Sequence, residues 1–132
     1  MEQYKQIQLD VETTIHTILA AIPSSQQLLW KILWLTAVSK KHLNILDLEK
    51  DINASKDGKS ISIPALTSLL EDILDLQEIL LIADWDANRL HRYSDDEDML
   101  KNCTIVIEKV DASYWLVSTN FTTQLLIEGK NC

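Results

Sequence analysis

The sequence predicts one α+β domain, helical through most of its length and β-rich towards the C-terminus. Three observations carry this. Apolar residues recur at three- and four-residue steps from Tyr4 to Ile22 and again from Leu66 to Leu76, as on one face of a helix. Beyond Ile79 the chain turns to short β-branched or aromatic runs broken by Asp, Asn and Ser. A length of 132 residues, 46% of them hydrophobic and 24% charged, suits one core and leaves no room for two.

In chain order, Tyr4, Ile7, Val11, Ile15, Ile18 and Ile22 form the stripe of a first helix, which Pro23 ends. Ser24 with Gln27 reads as a capping box for a second helix over Ser25 to Val38, whose Leu28, Trp30, Leu33 and Trp34 leave almost no polar side. Asn44 caps a short helix from Ile45 to Asn53, and Ala54 to Ser60 reads as a loop. Ser62 and Pro64 start a fourth helix running to Glu78. Ile79 to Ile82 is a strand, Asp84 to Asn88 a turn, and Asp95 to Asp98 an acidic, solvated loop. Thr104 to Val110 and Tyr114 to Thr119 are a hairpin closed by Asp111, Ala112 and Ser113. Phe121 to Ile127 suits a short helix or a strand equally.

Composition narrows the function classes. Met1 to Glu12 lacks the basic-then-apolar order of a signal peptide, and Leu28 to Val38 is about half of the roughly 20 residues that span a bilayer, so a cytoplasmic protein with no membrane partner is expected. Cys103 and Cys132 are too few and too far apart for a zinc knuckle or a redox pair. His16, His42 and His91 stand apart from any nucleophile at a recognised spacing, and no glycine-rich phosphate loop is present. Asp95 to Asp98 lacks the spaced ligands of a calcium loop. No catalytic residues, cofactor or metal are therefore expected. The net charge of −8 favours a basic partner and works against attraction to phosphate.

The order of elements, an apolar helix, a short helix, an amphipathic helix and then directly a strand pair, is that of a winged helix-turn-helix with an N-terminal amphipathic helix and an enlarged C-terminal hairpin. On Leu28 to Leu33, Leu46 to Ile52, Ser62 to Leu70, Leu80 to Ile82 and Asp86-Ala87-Asn88-Arg89, the chain resembles the MarR-type winged-helix regulators over roughly residues 26–129. The resemblance implies a dimeric transcription regulator that binds double-stranded DNA. Residues 1–22 would be a dimerisation helix, 24–94 the helix-turn-helix and wing, and 95–132 a hairpin extension. The loop 54–60 is longer than the family's tight turn, and Glu78-Ile79 stands where the family has glycine.

Arg89 and Arg92 are the only arginines and both fall in the expected wing, where their planar donors suit phosphate or base edges. With Lys56, Lys59, Ser62, Thr67 and Ser68 they make the expected DNA-binding set. The other reading pairs the arginines with Asp84, Asp86 or Asp95. Tyr4, Ile7, Val11, Ile15 and Ile18 make the expected homodimer contact. An acidic interaction module, such as an immunity protein or inhibitor of a basic nuclease, fits the size and charge as well.

Overall fold

A computed structural model of the protein describes residues 4–22, 25–39 and 45–120. The elements are β1 (Tyr4–Asp10), α1 (Ile15–Ala20), β2 (Leu29–Ser39), α2 (Ile45–Ala54), β3 (Lys59–Ile61), α3 (Ile63–Glu71), β4 (Ile73–Asp84), a 3-10 turn at Ala87–Arg89, α4 (Asp96–Asn102), β5 (Ile105–Val110) and β6 (Tyr114–Asn120). The strands form one sheet, antiparallel at every pairing, in the order β1-β6-β5-β4-β2-β3. A winged helix is dominated by helices around a small sheet, so the expected fold is corrected. Pro23, the caps at Ser24 and Asn44, the segment Phe121 to Ile127 and Cys132 lie outside the described residues.

Three segments expected as helices, in whole or in part, are strands and decide the fold. Residues 4–10 are a strand whose Leu9 reaches the core, and only Ile15 and Ile18 of the expected stripe lie on a helix. Asp10 makes the bend between them, its carboxylate accepting from the Glu12 amide at 3.0 Å, and Thr14 caps α1 by accepting from the Thr17 amide at 3.2 Å. The expected second helix is strand β2. An unbroken apolar run suits a strand buried on both faces as well as a buried helix, and periodicity alone does not separate them. The expected fourth helix stops at Glu71, and the rest of its stripe becomes β4.

One face of the sheet holds the main core. Trp30, Ile32 and Leu35 of β2, Ile79 and Leu81 of β4, Ile105 and Ile107 of β5 and Trp115 and Val117 of β6 pack with Ile15 and Ile18 of α1 and Leu66 of α3. On the other face Leu33, Ile82 and Val106 pack with Met99 of α4, Leu90 and Cys103. The sheet is therefore covered on one side and half covered on the other.

Antiparallel sheets must also satisfy or shield their edges. β3 pairs only with Trp30, Lys31 and Ile32, and beyond it the edge of β2 is met by α2 side chains. Asn53 accepts from the Leu35 amide at 2.9 Å and donates to the Leu35 carbonyl at 3.0 Å, while Glu49 accepts from the Ala37 amide at 2.6 Å. These two residues replace the missing length of an edge strand. At the end of β4, Asp84 is buried and accepts from the amide and hydroxyl of Thr104, at 2.9 and 3.0 Å, and from the Asp86 amide at 2.9 Å.

Asn53→Ala would leave both Leu35 backbone groups without their partner. It is expected to cost about 1–3 kcal/mol in urea unfolding and to make the chain more prone to aggregate. A loss below about 0.5 kcal/mol would show that water serves the edge equally well.

Candidate protein-docking face

The expected DNA-binding residues hold structural positions. The recognition helix is corrected to the nine-residue α3, in which Ser62 is the cap, accepting from the Ala65 amide at 3.2 Å. Thr67 is turned back on its own helix, donating to the Ile63 and Pro64 carbonyls at 3.1 Å, while Ser68 is exposed. Lys59 begins β3 and pairs with Asp51, and Lys56 is exposed in the loop before it. Arg92 is not on a wing. Its guanidinium donates to the Ile52 and Ser55 carbonyls at 2.8 Å and closes the C-terminal end of α2, where unpaired carbonyls and the helix dipole favour a cation. Arg89 donates to the Asn102 carbonyl at 3.5 Å, and Asp84, one of its expected partners, takes amide and hydroxyl donors instead.

The expected dimerisation stripe is likewise divided: Tyr4 and Ile7 are on β1, Val11 is exposed after it, and Ile15 and Ile18 are core residues of α1. The acidic loop is corrected too. Asp95 caps α4, accepting from the Asp98 amide at 2.9 Å, and Asp96, Glu97 and Asp98 form the first turn of that helix. Among the described residues no three acidic, Cys or His side chains gather as a metal site. Cys103 is free and buried, and burial pushes its thiol up to about 11.

The half of the second face that α4 leaves open has a distinctive make-up. Strand pairing aligns Trp34 with Leu80, Leu80 with Glu108, Glu108 with Leu116 and Leu116 with Gln8, a row crossing five strands. Thr36 stands opposite Glu78 in the next row. Trp34 is 42% exposed and Val38 46%. The Trp34 indole donates to the Thr36 hydroxyl at 3.1 Å, which fixes the ring on the surface. Burial holds the Glu108 carboxyl above the usual carboxylate range, and the negative charges of Asp96 and Glu78 add to the effect. Among the described residues no Lys or Arg lies in these two rows or pairs with either glutamate. The two rows thus present an apolar surface with an exposed Trp, bordered by carboxylates that no described cation pairs with.

Two concavities lie elsewhere. One of about 650 Å³ runs beside Trp30, Lys31, Ile61 and Pro64, and one of about 330 Å³ lies between Ile15, His16, Glu71, Leu74 and Lys109. In the second, His16 stands 3.8 Å from Glu71 and the Lys109 ammonium lies 5.4 Å from the Trp115 ring centre. Both side chains of the His16–Glu71 pair are more than half exposed, which marks a surface pair. No helix among the described residues is long and apolar enough to cross a membrane. The chain matches no family model, no curated protein and no solved structure.

Because the Glu108 pKa is raised in the folded chain, its stabilising contribution is present below the ordinary carboxylate pKa and is lost as pH rises through the folded value. Glu108→Gln is therefore expected to raise the melting temperature at pH 7, with the difference from the parent shrinking at pH 4. An equal difference at both pH values would contradict this account of the open face.

Proposed function

We propose that the protein is an interaction module that binds a basic protein partner through the open half of its second sheet face. The observation that carries this reading is the row Trp34, Leu80, Glu108 and Leu116 with Glu78 beside it, an apolar surface whose only formal charges are negative. An exposed Trp offers a large anchor at low entropic cost, and the carboxylates select a partner whose Lys or Arg side chains surround an apolar contact. The net charge of −8 steers such a partner from a distance. The acidic inhibitor expected as the second reading of the sequence is one form of this module. Double-stranded DNA is the less favoured partner, because Arg92 and Lys59 are engaged within the fold and the other expected contacts have no wing to stand on.

An alternating Leu–Lys peptide serves as the probe, with binding followed by tryptophan fluorescence at two salt concentrations. Glu78→Gln with Glu108→Gln is expected to weaken binding by roughly tenfold. Glu12→Gln with Asp57→Asn, an equal change of charge at exposed positions off this face, is expected to change it less than about twofold. Equal losses from both pairs would reduce the interaction to bulk charge and remove the proposed site. Binding of mixed duplex DNA at low salt, competing with the peptide, would restore the nucleic-acid reading.

A further inference from the structure

The two edges of the sheet are treated differently. On the β2 side the backbone is met by β3 and then by Asn53 and Glu49. On the other side β1 pairs with β6 over seven consecutive residues without a register shift, and no described strand or helix meets its outer edge. β1 is regular, free of proline and bulges, and Lys5 and Asp10 are its only charges, so it carries few of the devices that keep sheet edges from pairing. We infer that β1 is the homodimer contact, two copies joining edge to edge in antiparallel fashion to form one continuous twelve-stranded sheet.

Charge and pattern select a second copy as the occupant. Over Tyr4–Asp10 the formal charges are Lys5 and Asp10, which cancel, on a chain of net charge −8. Two copies repel one another elsewhere, including at Glu78 and Glu108, but not here.

A two-fold axis normal to the sheet places each residue opposite one from the same face, so the register sum must be even. Centring the pair on Ile7 puts Ile7 opposite the partner's Ile7, Gln6 opposite the partner's Gln8 and Tyr4 opposite the partner's Asp10. No like charges then face each other. Ile7, only partly buried and packed against the main core, would gain its missing neighbour and carry that core across the axis.

This contact differs from the dimer expected from the sequence in using a strand edge, with Ile15 and Ile18 left inside each subunit.

The test is sedimentation equilibrium of the full chain from micromolar to millimolar concentration, with circular dichroism to verify folding. The wild-type chain should show a monomer–dimer equilibrium. Gln6→Glu with Gln8→Glu sets carboxylates opposite one another at both amide pairs and should raise the dissociation constant by roughly tenfold or more. Gln6→Lys with Gln8→Lys should do the same. An equimolar mixture of the two variants should pair again, as heterodimers. A wild-type chain that stays monomeric to millimolar concentration would overturn the proposal. So would a dimer insensitive to either double substitution, or a mixture that fails to pair.

Discussion

The long antiparallel pairing of β2 with β4 constrains everything else in the structure. The strands are eleven and twelve residues long and stay paired from Leu29 and Asp84 to Ser39 and Ile73. No other pair in the sheet matches this length, so shorter elements must cover what the two long strands leave open. β3 covers three residues of the β2 edge, and α2 finishes the task through side chains. The seven-residue α4 reaches only part of the second face. The open half of that face follows from the mismatch between two long strands and one short helix. Its surviving apolar surface is therefore built into the architecture.

The pairing tolerates its own length through three register shifts, between Ile32 and Trp34, Thr36 and Ala37, and Val38 and Ser39. Each inserts a residue on one strand and turns the ladder locally. The irregularity near Gln77 is held in place by the β5–β6 turn, whose Ala112 amide donates to the Gln77 carbonyl at 2.7 Å. Asp111 and Ala112 both adopt positive φ there, at 49° and 55°. That is the backbone hand of a tight hairpin turn, obtained without glycine, and the contact with Gln77 offsets part of its strain.

Much of the local structure was legible in the sequence. The β5–β6 hairpin, its three-residue connection, the Ile45 start of α2 and the Ser62 cap with Pro64 behind it stand where residue chemistry places them. These features are decided by neighbours in the chain. The N-terminal error has a definite cause, which is that a stripe at three- and four-residue spacing also arises when a strand, a bend and a helix follow one another. Tyr4, Ile7 and Val11 belong to β1 and the bend after it, Ile15 and Ile18 to α1, and only tertiary packing separates the two. The arginines misled for a related reason. Their clustering in sequence suggested a surface for phosphate, whereas Arg92 is placed by contacts 37 and 40 residues distant with the end of α2.

The proposed docking face was not legible at all, because its members come from separate strands and each looks ordinary where it stands. Trp34 shows why composition could not have found it. In an unbroken strand Trp34 would share the side of Ile32 and enter the main core, as its place in an apolar run suggests. The register shift between Ile32, opposite Leu81, and Trp34, opposite Leu80, moves it to the other side. Leu33 then packs with Met99 of α4, while Trp34 is left exposed in the row of Glu108. A slip of one residue exchanges the faces of a strand, so a single inserted residue decides whether this indole is core or surface. The functional reading of the protein thus rests on a feature of strand register, the residue inserted at Leu33 between Ile32 and Trp34, with the Trp34–Thr36 hydrogen bond holding the indole where that shift puts it.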